Sequence, residues 1–257
     1  VVKVAFYGNY TMVTNKIIYL VNILSDGLSA GVGNLLAEGN EKNIMKVFWE
    51  LTAMRFFILG IVIFSLLMFL QPFVGYWLSP DYQLNDIIIY LLIFHLFIYL
   101  QNAAVYIFIG ASGLYGDVWA AWTELVINLS VTLTMAPFYG IAGILLGKII
   151  SVFFISFFWK PYYLFTEGFH KSVWVFWRGM VPYYVLFALF VVLSLIIRYS
   201  IIDRQVSSML SLVAWGACVA IPLVSLYFLM MFKFTTGMKY FIARKPKVYN
   251  TLTRYIN

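Results

Sequence analysis

Residues 56–80, 87–116, 125–147, 179–197 and 205–232 contain no Asp, Glu, Lys or Arg. A helix needs about 20 apolar residues to cross a hydrocarbon core of about 30 Å, and each run is about that long or longer. The pattern predicts an all-α, polytopic membrane protein with about seven spans. Composition agrees, because 11% of residues are charged where soluble domains carry roughly 25%. The net charge of +7 does not point to nucleic acid here, since the basic residues flank apolar runs, where anionic lipid headgroups lie. Cys218 is the single cysteine and excludes an internal disulfide.

The spans are expected near 4–35, 56–79, 86–110, 117–137, 140–160, 179–199 and 207–232. Segment 43–55, with apolar and charged residues at helical spacing, reads as an interfacial helix leading into the second span. Turn chemistry marks the joints at Ser79-Pro80-Asp81, Gly113 to Gly116, Pro137 to Gly140 and Pro161. Residues 1–178 then form a five-helix part, 179–232 two further lipid-facing helices, and 233–257 a basic tail.

Lys and Arg collect on one side. Placing the loop around residue 42 in the cytoplasm puts Lys42, Lys46, Arg55, Lys160, Lys171, Arg178 and the six basic residues of the tail inside, with Lys3, Arg198 and Arg204 outside. The N-terminus is then outside and the C-terminus cytoplasmic. A chain that begins outside with Val and no signal peptide reads as the C-terminal half of a longer polytopic protein. The tail, interleaved with Phe, Tyr and Ile, is expected on an anionic inner leaflet.

Charges and amides inside apolar spans are costly to insert, so they are the first candidates for function. In the first span Gly8, Thr11, Asn15, Tyr19, Asn22, Asp26, Ser29 and Gly33 recur at three- and four-residue steps on one face, with Lys16 beside them. His95, Tyr99, Asn102 and Tyr106 form a second stripe in the third span, and His95 is a candidate for proton exchange near neutral pH. A packing role for a lone histidine remains open. In the fourth span Glu124 and Asn128 stack one turn apart, and Glu124 lies about 10 Å into the membrane by helical rise. Gly143, Gly147 and Ser151 give the fifth span a small-residue face. Lys148 beside them is expected to pair with Glu124 across an antiparallel hairpin. The competing reading for all these groups is interhelical hydrogen bonding without substrate contact.

Taken together, Gly33-Asn-Leu-Leu-Ala-Glu-Gly39, the segment Lys42 to Glu50, Pro72-Phe-Val-Gly-Tyr-Trp77, Gly113-Leu-Tyr115, Glu124 to Ser130, Gly140 to Gly147 and Trp159-Lys-Pro-Tyr-Tyr-Leu-Phe165 resemble the second half of Wzx-like polysaccharide flippases. These belong to the superfamily that also holds multidrug and toxin extrusion exporters. The resemblance covers about residues 5–175. It implies the second bundle of a fourteen-helix transporter with a central cavity opening alternately to each side of the bacterial inner membrane. The implied substrate is a polyprenyl-diphosphate-linked oligosaccharide. Implied partners are anionic lipids and other polysaccharide-assembly proteins, and no cofactor is implied beyond coupling to protons or sodium. On this reading Asn15, Asn22, Asp26, Glu124 and Asn128 line the cavity, Glu124, Asp26 or His95 responds to protons, and Lys16 or Lys148 attracts diphosphate. The loop from Gly113 to Trp122 lacks the basic residues common in such proteins. A multidrug cation exporter of the same fold is the nearest alternative. A membrane enzyme of glycan assembly is more distant, because the chain lacks a catalytic triad, metal-ligand cluster or phosphate-binding glycine loop.

Overall fold

The computed structural model describes residues 2–256, apart from the side chains of residues 2, 3, 24–26, 255 and 256. Asp26 therefore lies outside the described side chains. Seven helices are long and apolar enough to cross a membrane: α1 (Val4–Ala37), α2 (Glu41–Trp77), α3 (Asp86–Ala111), α4 (Val118–Tyr139), α5 (Ile141–Gly168), α6 (Trp174–Gln205) and α7 (Met209–Phe234). Two short helices follow, α8 (Thr236–Ala243) and α9 (Pro246–Ile256). The described residues contain no strand. The chain is an all-α polytopic membrane protein.

Local chemistry sets the joints. Gly39 at φ 68° ends α1 in the left-handed region, where glycine has no Cβ penalty. Asn40 then caps α2 by accepting a hydrogen bond from the Asn43 amide at 3.2 Å. Asn85 does the same for α3 through the Ile87 amide at 2.9 Å, and Ser208 and Ser211 form a reciprocal capping box at the start of α7. Gly140, at φ 57°, turns the chain between α4 and α5.

Helix α2 is the hub, with α3, α6, α7 and α8 packed around it. Aromatic side chains fill these interfaces. Phe48 meets Phe108, Phe165 and Phe169 edge-on, and Phe64 sits among Phe187, Phe190 and Tyr227. Offset and edge-to-face aromatic pairs add about 0.5–1.5 kcal/mol each beyond area burial. Helix α1 rests on α2 and the second half of α3. It is also tied to the α2–α3 turn: the Tyr10 hydroxyl donates to Gln71 Oε1, and Gln71 Nε2 donates to the Leu84 carbonyl at 2.5 Å.

Helices α4 and α5 form a hairpin joined to the bundle through α5 and α3. Its small-residue face works as expected. A Cβ on Gly143 would collide with the backbone of Met135 and Ala136, and one on Gly147 with Thr132, so glycine permits the close approach.

Three expectations are corrected. Segment 43–55 is not a separate interfacial helix but the first turns of α2, with Phe48, Glu50, Leu51, Thr52, Ala53 and Arg55 buried, because rings from α3, α5 and α6 and the body of α8 cover them. The tail does not simply lie on lipid: Gly237 of α8 fits against the Trp49 carbonyl, and Arg244 pairs with the buried Glu50. Helices α6 and α7 are not wholly lipid-facing, since Tyr183, Phe187, Phe190, Tyr227 and Met231 enter the core.

Candidate functional site: a polar cavity among α1 to α5

A cavity of about 470 Å³ lies among the first five helices, bordered by Asn22, Arg55, Tyr99, Tyr106, Glu124 and Ser156, with Ser29 and apolar residues completing the wall. Two backbone irregularities shape it. Helix α3 is interrupted at Asn102 (φ −97°, ψ 21°), and α5 widens to π-helical bonding over Phe153–Trp159, a form that recurs at functional sites. The two face each other, because the buried Asn102 side chain donates through Nδ2 to the Ser156 carbonyl.

The positive charges come from residues that the sequence reading placed outside the membrane path. Arg55 was assigned to a cytoplasmic flank, yet it is only 5% exposed, and its Nη1 donates to the Val21 carbonyl at 2.8 Å. This bond fixes α2 against α1 and holds a guanidinium at the cavity wall. Lys160 pairs with Asp117 at 2.7 Å, Trp159 Nε1 donates to the same carboxylate oxygen at 2.9 Å, and Lys160 Nζ lies 5.7 Å from the Tyr106 ring centroid. The loop before α4, which has no basic residue of its own, thus receives one from α5. The signal for Arg55 was present in its heptad neighbours: it follows the apolar face formed by Phe48, Leu51 and Thr52 at helical spacing.

Of the predicted site residues, Asn22 and Glu124 reach this cavity. Asn128 faces the hairpin seam, where its Oδ1 accepts from Thr132 at 3.1 Å. Asn15 and Lys16 are exposed on α1 and do not border it. His95 is half-buried and stacks on Tyr99 at 6.4 Å between centroids. Lys148 is half-buried on α5.

The expected Glu124–Lys148 pair is absent among the described ion pairs. Register explains this. Gly143 lies against Met135 and Gly147 against Asn128 and Thr132, so Glu124 is level with the neighbourhood of Ser156, and Lys148 sits roughly 10 Å further along the helix by its rise per residue.

The cavity therefore combines a guanidinium, a carboxylate, two phenols and an amide within a membrane-spanning bundle. Such a set can accommodate water or a polar headgroup, whose hydroxyl or phosphate oxygens match its donors and acceptors. Among the described residues no three His, Cys, Asp or Glu side chains gather as a metal site. No protein-family model, curated protein or solved structure matches this chain.

Proposed function

We propose that the chain belongs to a transporter that flips a polyprenyl-diphosphate-linked oligosaccharide across the bacterial inner membrane by ion-coupled alternating access. The observation that carries this reading is the mixed-charge cavity among α1 to α5, next to the two spans with the least buried surface, α1 and α4. A sugar-diphosphate headgroup requires a hydrated polar path while its lipid tail stays in hydrocarbon. Asn22, Tyr99 and Tyr106 offer hydroxyl-matching groups. Arg55 in the wall offers positive charge for the diphosphate, with Lys160, paired to Asp117, behind Tyr106. Glu124, inside a span and without an ion-pair partner among the described residues, is the group proposed to exchange a proton or bind sodium.

The orientation proposed is N-terminus outside and C-terminus cytoplasmic, with anionic lipids and other polysaccharide-assembly proteins as partners. The second reading, export of amphipathic cations, draws support from Glu124 alone and is opposed by Arg55 in the same wall.

The test is translocation of lipid-linked oligosaccharide in vesicles, comparing wild type with Glu124→Gln at matched insertion. Movement by wild type and a loss of about tenfold or more in the variant, the effect of removing one functional charge, supports the proposal. Wild-type vesicles that move amphipathic cations and no lipid-linked sugar would transfer the assignment to a drug exporter.

A further inference from the structure

The end of the bundle opposite α8 carries a second polar cluster that the cavity does not use. Arg198, near the end of α6, has a side chain only 5% exposed and holds Asp86 of α3 at 2.8 Å. Its Nη1 donates to the Tyr90 hydroxyl at 3.2 Å, and its guanidinium lies 5.2 Å from the Tyr199 ring centroid. The buried Arg198 Nε has no hydrogen bond, with Asp203 standing off at 3.7 Å. An open cavity of about 850 Å³ borders Asp86, Arg198 and Asp203. Among the residues lining it, Arg198 is the one cation and the two carboxylates are the anions. Asp86 Oδ2 also accepts from the Tyr199 hydroxyl at 3.4 Å, so the surplus acceptor is Asp203; the cluster carries one net negative charge and one buried donor without a hydrogen bond.

Along the membrane from this cluster runs an apolar groove of about 510 Å³ between α3 and α6, walled by Tyr90, Phe94 and Phe97 on one side and Ala188, Val191 and Leu195 on the other. Tyr90 belongs to both features, since its ring lines the groove and its hydroxyl meets Arg198. Ala188 precedes Arg198 by ten residues, about 15 Å of helix. That is half of the hydrocarbon core of about 30 Å, the depth of one leaflet.

We propose that groove and cluster form one binding site for a phospholipid whose headgroup carries a primary amine. Its acyl chain lies between α3 and α6, its ammonium draws the Asp203 carboxylate away from its 3.7 Å stand-off with Arg198 Nε and sits between it and Asp86, and a phosphate oxygen accepts from the Nε so uncovered. A zwitterion of this kind matches both the surplus acceptor and the unused donor, whereas a purely anionic headgroup meets two carboxylates. The site is separate from the cavity and does not depend on the transport reading.

The test uses the delipidated chain in detergent, titrated with phosphatidylethanolamine, phosphatidylcholine and phosphatidylglycerol of identical acyl chains, with retained lipid read by native mass spectrometry. Phosphatidylcholine keeps the charge and loses the N–H donors. Wild type is expected to retain phosphatidylethanolamine about tenfold better than the other two, the size of a charge-assisted hydrogen bond. Asp203→Asn should remove most of that preference, and Asp203→Glu, which keeps the charge, should keep it. Ala188→Trp, which fills the groove, should lower retention of all three lipids. Equal retention of the three lipids by wild type, an unchanged preference in Asp203→Asn, or undiminished retention in Ala188→Trp would each overturn the proposal.

Discussion

Helices α2 and α4 both cross the membrane, yet 61% of the most apolar window of α2 is buried within the chain and only 6% of that of α4. Hydropathy runs the same way, with α2 the more apolar of the two. Helix α1, also little buried and of the same modest hydropathy, resembles α4. The least covered spans are thus the more polar ones, which is the reverse of what lipid as sole neighbour would select. Asn15 and Lys16 on α1 and Ser130 and Thr134 on α4 are exposed. A polar face in a membrane needs water or another polypeptide beside it. The contrast teaches that α2 turns its apolar residues to internal packing, while α1 and α4 keep polar residues on faces this chain does not cover.

The contrast can be tested by substitution. Phe64→Ala in α2 removes a ring held by Phe187, Phe190 and Tyr227 and should cost about 3–5 kcal/mol, read as a large fall in thermal stability in detergent. Gly143→Val forces a side chain into the backbone of Met135 and Ala136. It should cost about 1–3 kcal/mol by overpacking and raise proteolysis at the Tyr139–Gly140 turn. Its effect should centre on the hairpin, because the side chain enters the α4–α5 seam.

Arg244→Gln leaves the buried Glu50 carboxylate without its cation. The loss should be about 2 kcal/mol, below the range for a fully buried pair because Arg244 itself is largely exposed. The double variant with Glu50→Gln should recover most of it. At the small end, Leu133→Ala on the open face of α4, where Leu133 is 65% exposed, should fall within about 0.5 kcal/mol of wild type. A cost for Leu133→Ala comparable to that of Phe64→Ala would break the comparison, since it would mean that another protein surface covers α4 in solution.

Much of the fold was legible because a charge-free run is a one-dimensional signal. Five such runs point to α2, α3, α4, α6 and α7, whereas the first span carries Lys16 and Asp26 and the fifth Lys148 within otherwise apolar stretches, and turn chemistry marks the joints at Ser79, Gly113 and Gly140. The path of α2 was not legible: residues 43–55 look amphipathic, and only the packing of the other helices reveals that Phe48 and the consecutive residues Glu50, Leu51, Thr52 and Ala53 are all buried. For the cavity, periodicity identified Asn22, Glu124, Tyr99 and Tyr106. It missed Arg55 in the wall, and Lys160 behind Tyr106, because a cation at the end of an apolar run reads as a topology signal, whether it points to headgroups or back into the bundle. The Glu124–Lys148 pairing failed on hairpin register, which depends on where Gly143 and Gly147 dock and cannot be counted from the turn alone.

The length of α2 has a mechanical consequence. At a rise of 1.5 Å per residue, its 37 residues make a rod of about 55 Å, longer than a bilayer with its headgroups at about 40–45 Å. Glu50, which holds the tail, Arg55, which borders the cavity, and Gln71, which anchors α1, all ride on this rod, and its only internal proline, Pro72, lies beyond them. The tail contact and the cavity wall thus share one stretch of helix with no proline between Glu50 and Arg55, while Pro72 perturbs the turn that carries Gln71.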